Sequence, residues 1–482
     1  MATSSASARP KTFRLNVDDD VLEDLRSRLH SRNLKAMHDF KPPSRVELGL
    51  SPNVRTAVSY ADESKPGSGS PEAWRYGMDV DFLEQLLAYF EGEFLDKWRE
   101  TEEKLNEFPQ YTVEVEPGIE LHYIHARCDN NADALTIFLL HGWPSTIYDH
   151  QKVVPLLLAA GFDVVVPSIP GFGFSTVNPS ELLARNTGVL RTAILYEKLA
   201  VNVLQLPAYA VQGGDWGAAI ASTMASRSPR CVALHLNLPI PIFTQNFSLI
   251  NINKLARLST YLRAPTFTLD SRERGVMENI MLFLSTNTAY FMQHTTKPAT
   301  LGHAMRESPA GLAAWVMEKF YVCSDFRKTG KLFDTVTMDE ILTTVMMFWV
   351  TDSAGTAMAF YRHSRNFSNI LPDFISVPTA VLTAPCEPLQ LPQSLMELSY
   401  DVRRHTVLEE GGHFLPLEQP RALANDLIAF LKEDMHLDEQ GASTLKQTRT
   451  PLSNIRLFQA SLPFLAAPLA AVAAYAFFRN KL

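Results

Sequence analysis

The run Gly213-Gly214-Asp215-Trp216-Gly217 constrains this chain more than any other segment. Apolar Ala208-Tyr209-Ala210-Val211 precedes it and Ala218-Ala219-Ile220-Ala221-Ser222 follows, so it reads as strand, tight turn and helix start. Small residues flank the central side chain, as they do where a strained turn presents a nucleophile between a strand and a helix. Position 215 holds aspartate where a hydrolase normally carries serine. A helix N-terminus favours negative charge, which suits a carboxylate there. Attack by serine on an alkyl carbon would leave an ether, which water does not cleave. Attack by aspartate leaves an ester, which water does cleave. The turn therefore points to substrates with an electrophilic sp3 carbon, such as an epoxide or an alkyl halide.

The 482 residues are 46% hydrophobic, enough for a large core and more than one domain. A net charge of -8 with no basic stripe argues against a nucleic-acid partner. Cys128, Cys231, Cys323 and Cys386 show neither metal nor disulfide spacing and read as reduced thiols in a cytosol-facing protein. Met1 to Pro10 is rich in alanine and serine, without the apolar stretch of a secretory signal. From Leu457 to Phe478 no residue is charged, and Arg479 and Lys481 follow. A stretch of about 20 such residues suits a membrane span. Pro463, Pro468 and many alanines also allow a helix lying on a membrane or packed on the protein. The expectation is a C-terminal tail anchor to the endoplasmic reticulum or another organelle. Asn480-Lys481-Leu482 is a weaker match to the peroxisomal Ser-Lys-Leu address.

Phe13 to Asp18 alternates like a short strand, and Val21 to Leu29 has the period of an amphipathic helix. Lys65 to Pro71 reads as a loop and Val80 to Phe90 as a helix. Strand and helix then alternate, as in a mostly parallel sheet. Strands are expected over Gly118 to Ala126, Ala134 to Leu140, Phe162 to Val166 and Val232 to Leu238, with helices over Val153 to Ala160 and Val189 to Leu204. From about Pro239 to Leu371 the pattern turns helical, rich in aromatic residues and methionine. The sheet resumes at Thr379 to Thr383 and Arg404 to Leu408.

A nucleophile on such a turn needs a later acid and then a histidine. His413 lies just after a strand, in Glu410-Gly411-Gly412-His413-Phe414, where two glycines leave a flexible loop that can bring the ring over the sheet edge. Glu387, in Pro385-Cys386-Glu387-Pro388 at the end of the preceding strand, is the better-placed acid. Asp373, before that strand, is the other. Backbone N–H groups of Trp216 and of the loop His141-Gly142-Trp143-Pro144 are candidates for an oxyanion hole, and both tryptophans for an apolar wall. An alkoxide leaving an epoxide needs a donor neutral at pH 7, and a tyrosine of pKa about 10 serves. With 14 tyrosines, spacing cannot pick which; it places them only in the inserted region.

Together these segments resemble the microsomal-type epoxide hydrolases, within the α/β-hydrolase fold, from about Phe13 to Lys432. Thr12 to Asn33, Trp74-Arg75-Tyr76-Gly77 and Leu105 to Tyr111 carry the N-terminal match. The HGWP loop at 141–144, Pro170-Gly171-Phe172-Gly173-Phe174-Ser175 and the turn at 213–217 carry the core match. Thr295-Thr296-Lys297-Pro298 and Ser308-Pro309-Ala310-Gly311-Leu312-Ala313-Ala314-Trp315 carry the cap match. The resemblance implies an α/β fold with a helical cap and an N-terminal meander domain. Its expected divisions are 1–111 for the N-terminal domain, 112–238 and 376–435 for the core, 239–375 for the cap and 436–482 for the tail. It implies Asp215 as nucleophile, His413 as base, Glu387 as its acid, and Tyr290 and Tyr361 as donors to the epoxide oxygen. No metal or organic cofactor is implied, and the partner is a small apolar epoxide. Two departures stand out: the chain shows no N-terminal anchor like that of the mammalian microsomal members, and Cys386 replaces a usual aromatic residue.

The aspartate turn would equally serve a haloalkane dehalogenase, which would bind halide through ring N–H donors without needing the tyrosines. The N-terminal segment argues against that. A silent binding or scaffold protein is a third reading, opposed by the presence of all five chemical positions. The sequence leaves open whether the epoxide is a fatty-acid, terpenoid, polyketide or xenobiotic one.

Overall fold

In the computed structural model, residues 9–32, 74, 77–129, 131, 133–178, 180, 187–240, 271–326, 335–365, 371–372 and 374–437 are described. The 457–478 segment, the loop at 65–71 and Asp373 lie outside them.

Ten strands form one sheet. They are β1 (Lys11–Phe13), β2 (Gln110–Glu116), β3 (Ile119–Ala126), β4 (Thr136–Leu140), β5 (Asp163–Pro167), β6 (Thr176–Val177), β7 (Tyr209–Gly213), β8 (Cys231–Leu236), β9 (Ile375–Thr383) and β10 (Tyr400–Val407). Their order is β1-β2-β3-β5-β4-β7-β8-β9-β10, with β6 paired to β3. The neighbours β5, β4, β7, β8, β9 and β10 pair in parallel, β1, β2 and β3 pair antiparallel, and β3 is antiparallel to both β5 and β6. Every residue of β4, β7 and β8 is buried, as expected of parallel strands covered on both faces. Ligands bind beyond the carboxyl ends of such strands. The register sets Leu140 of β4 beside Gly213 of β7, so the HGWP loop emerges next to the aspartate turn.

Among the described residues, the α-helices of six or more residues are α1 (Asp19–His30), α2 (Val80–Tyr89), α3 (Trp98–Leu105), α4 (Val154–Ala159), α5 (Val189–Lys198), α6 (Asp215–Arg227), α7 (Ser271–Thr286), α8 (Ala289–Thr296), α9 (Pro298–Glu307), α10 (Pro309–Cys323), α11 (Met338–Val350), α12 (Ala354–Ser364) and α13 (Pro420–Ala429). Helices α7 to α12 fall between β8 and β9 in the chain. Ser308 caps α10 by accepting from the Gly311 N–H at 3.0 Å, with Pro309 in the first turn. Thr337 and Glu340 form a capping box on α11. Helix α12 packs on both α8 and α9, most closely where Gly302 meets Gly355.

The N-terminal segment differs from its sequence pattern. Only Lys11–Phe13 is strand, and it joins the main sheet through β2, which itself runs across the 111/112 division. Beyond it, Leu15 and Val17 are buried as the alternation requires, but their backbones pair with side chains of the α3 region. Leu15 exchanges two 2.8 Å hydrogen bonds with the Asn106 amide. Val17 donates to Glu102 Oε1 at 2.7 Å and accepts from Arg99 at 2.8 Å. These side chains take the place of a neighbouring strand. Helices α1 and α2 also contact α10, and Trp74, which precedes α2, stacks on Tyr321 with ring centroids 3.9 Å apart.

Candidate active site

Strand β7 ends at Gly213, and Asp215 opens α6 with φ of +48°, in the left-handed region. A non-glycine residue held there stores backbone strain and usually marks a functional position. The packing that holds it is tight. A Cβ on Gly217 would lie 2.1 Å from the Leu140 carbonyl oxygen, so β4 and α6 approach only because that residue is glycine. A Cβ on Gly142 would lie 2.1 Å from Asp215 Oδ1. With no side chain at 142, the next N–H reaches the carboxylate: Trp143 donates to Asp215 Oδ1 at 2.8 Å. Trp216 is the second residue of α6, and helical N–H groups point toward the N-terminal end where Asp215 sits.

The other carboxylate oxygen, Oδ2, lies 3.6 Å from His413 Nε2. On the far side of that ring, Nδ1 pairs with Glu387 Oε2 at 2.7 Å. Glu387 is deeply buried, and its Oε1 accepts from the Leu389 N–H at 3.2 Å. Burial opposes charge on His413, but the Glu387 and Asp215 carboxylates outweigh it and hold the imidazole pKa well above its usual value. The loop carrying His413 is pinned, in contrast to the flexible one that its glycines suggest. The His413 N–H donates to the Cys323 carbonyl at 2.8 Å, Gly411 to Asp325 Oδ2 at 2.8 Å and Phe414 to Glu418 Oε1 at 3.0 Å.

Two tyrosines face this pair from the cap. Tyr290 on α8 stacks on Trp143, with centroids 5.4 Å apart, and Tyr361 on α12 meets the same indole edge-on at 5.8 Å. Their rings lie 6.1 Å from each other. Burial first, and the Asp215 carboxylate in addition, push both phenols well above their ordinary pKa, so each keeps its proton at neutral pH. The Tyr361 hydroxyl is buried without a hydrogen-bond partner of good geometry among the described residues.

The cavity between these groups is small, about 30 Å³, and is lined by Trp143, Pro144, Asp215, Tyr290, His413 and the apolar Phe283, Val322, Leu389 and Phe414 among others. Trp216, expected in the wall, and His141 of the neighbouring loop do not line this cavity. His141 is buried behind its loop, where Nδ1 faces the Gly142 carbonyl at 3.0 Å and Nε2 accepts from the Ile169 N–H at 3.1 Å. Burial depresses its pKa to about 4, so it braces the loop as a neutral ring. The Trp216 indole packs edge-on against Tyr361, centroids 4.9 Å apart, and supports the tyrosine from behind.

Sequence reasoning missed three cap residues at the site. His294 is buried edge-on against Trp143 and Tyr361 and accepts from Trp315 Nε1 at 3.3 Å. Lys319 and Cys323 line the cavity from α10. Trp315, Lys319 and Cys323 recur at every fourth residue, a signal for one helix face that becomes useful only once that face is known to meet the site.

The fold and the aspartate turn define an α/β hydrolase. Residues 10–150 match the family model for the epoxide hydrolase N terminus, and residues 136–275 match that for the alpha/beta hydrolase fold. A protein of Stigmatella aurantiaca (strain DW4/3-1), assigned by name as an epoxide hydrolase, is 31% identical over 75% of this chain and 78% of its own length. Epoxide hydrolase 1 of Oryctolagus cuniculus is 28% identical over 74% of this chain and 81% of its own. The structure of the Aspergillus niger epoxide hydrolase superposes with a TM-score of 0.68 at 27% identity, covering 89% of this chain and 98% of that one. This chain belongs to the epoxide hydrolases and is a hydrolase acting on epoxides. Among its described residues, no helix is long and apolar enough to cross a membrane.

Proposed function

We propose that this enzyme converts a small apolar epoxide and water to a vicinal diol through an ester on Asp215. The observation that carries the reading is the division of labour within the Asp215 carboxylate. Oδ1 is held by the Trp143 N–H at 2.8 Å, while Oδ2 is directed toward His413. Oδ2 attacks an epoxide carbon as the C–O bond breaks. Tyr290 and Tyr361 donate hydrogen bonds to the ring oxygen, and one phenol gives it a proton. Oδ1 becomes the ester carbonyl, already placed at its amide donor.

In the second step His413, oriented by Glu387, takes a proton from water, and the hydroxide adds to the Asp215 carbonyl carbon. Charge develops on Oδ1 beside the Trp143 and Trp216 amides. Collapse expels the diol oxygen, which takes the proton of the newly formed acid, and the imidazolium proton restores the phenol. Esterification removes one of the two carboxylates that favour the imidazolium, so the His413 pKa falls and the neutral ring needed to take a proton from water becomes available.

A single turnover in 18O-labelled water, with enzyme in excess over an aryl epoxide, tests this. The first diol is expected to be unlabelled, with label in Asp215. Label in that first diol would mean direct attack by water and would overturn the ester route. We further infer that the uncharged 457–478 segment attaches the enzyme to membranes. Flotation with phosphatidylcholine vesicles should be lost when the chain is cut after residue 437, and equal flotation of both forms would refute it.

A further inference from the structure

Lys319 is almost wholly buried, its side chain only 9% exposed, and it lines the cavity together with Asp215, Tyr290 and His413. A lysine on an apolar helix face ordinarily extends its ammonium to water. This one lays Nζ over the ring of Tyr290, 4.6 Å from the centroid, and within 5.2 Å of the Trp315 ring. Glu318 Oε1 meets the ammonium at 2.6 Å. That pairing satisfies the charge, but it would be equally available at the surface and does not explain the inward position. On the other side His294 is kept neutral, its pKa pushed to about 3 by burial first and by Lys319 second.

The charges around Tyr290 make the placement consequential. The Asp215 and Glu387 carboxylates both add to burial in opposing loss of its proton. Ring opening asks the opposite of the phenol, because negative charge grows on the epoxide oxygen and is shared through the hydrogen bond. A cation over an aromatic face is attracted more strongly as that ring becomes electron-rich. The Lys319 contact therefore strengthens in the transition state, where an interaction accelerates chemistry. We propose that Lys319 is a positioning residue that acts through Tyr290, setting its strength as donor to the opening epoxide. This rests on Tyr290 serving as that donor.

The test is pre-steady-state turnover of styrene oxide by the full chain, with ester formation and ester hydrolysis resolved by rapid quench and intact mass. Lys319→Met is expected to slow ester formation about tenfold, with ester hydrolysis changed less than about twofold. Lys319→Arg should stay near the unsubstituted rate. In a Tyr290→Phe background, Lys319→Met should cost nothing further, since the group it acts through is gone. Equal slowing of both steps, or a full loss persisting in the Tyr290→Phe background, would overturn the assignment. If Lys319→Met does not fold, Lys319→Gln against Lys319→Arg makes the same comparison. Should the unsubstituted enzyme make diol without an ester, the mechanism above falls and this inference with it. Should the ester form at equal rates with and without Lys319, this inference falls alone.

Discussion

The Trp143 amide lies 2.8 Å from Asp215 Oδ1, so the donor that would stabilise a tetrahedral intermediate already grips the resting carboxylate. On the proposed ester route this decides which oxygen attacks. Oδ2, 3.6 Å from His413 Nε2, is the one left toward the cavity. Asp215→Asn keeps the shape but removes the anionic nucleophile. Diol formation should fall by at least about 10⁴-fold, with no covalent adduct by intact mass.

The same relationship depends on Gly142. A methyl group there would stand 2.1 Å from Oδ1, a distance that only displacement of the carboxylate or the loop can relieve. Gly142→Ala should lose activity by about 10²-fold or more, the scale of a lost oxyanion donor, while its circular dichroism matches the parent. Parent-level kcat would show that the loop yields freely.

On the proposed route His413 acts only in the second chemical step. His413→Gln should still form the Asp215 ester but not hydrolyse it, so the adduct accumulates in stoichiometric amount. On that route, ester hydrolysis in the unsubstituted enzyme needs the neutral ring and should be lost on the acid side. Its apparent pKa should lie below that of the free enzyme, because esterification neutralises Asp215, one of the two anions that raise it. The same raised value stabilises the free fold. That contribution is complete below the unfolded pKa of about 6.5 and is lost as pH rises through the folded one. An imidazole NMR titration of free enzyme and trapped ester checks the order.

The meeting of Asp215, Glu387 and His413 was legible because each residue follows a recognisable apolar strand, and parallel strands deliver their carboxyl ends to one edge. The tyrosine pair was legible only by resemblance. Tyr290 and Tyr361 stand 71 positions apart on different helices, and nothing in either segment announces that α8 and α12 share an interface. His294 and Lys319 stayed hidden for the same reason, since a helix face acquires meaning from what packs on it. The 14–18 segment misled in a different way. Its alternation correctly marked Leu15 and Val17 as buried, but burial does not say whether a strand or side chains such as Asn106 and Glu102 satisfy the backbone.

On the proposed route Tyr290 and Tyr361 donate to the same epoxide oxygen, so each should partly cover the loss of the other. Either single change to phenylalanine should slow ester formation by about 10-fold to 10²-fold, and the double change far more, with ester hydrolysis spared. Equal slowing of both steps would move the tyrosines from chemistry to packing.

Glu418 offers a prediction about stability. It is buried, and its two oxygens accept from the Phe414 N–H at 3.0 Å and the Asp325 N–H at 2.8 Å, tying the His413 loop to the end of α10. Burial first, and the neighbouring Asp325 charge in addition, raise its pKa to about 8. The folded protein therefore retains a proton that the unfolded chain releases near pH 4.5. Stability from this group is fully present below that pH and declines as pH rises toward about 8. Glu418→Gln removes the titration but gives an amide nitrogen that cannot accept one of the two N–H groups, at a cost of about 1–3 kcal/mol. Urea unfolding from pH 5 to pH 9 should show the parent losing stability over this range more steeply than the variant. Parallel curves would mean that Glu418 is ionised in the fold throughout.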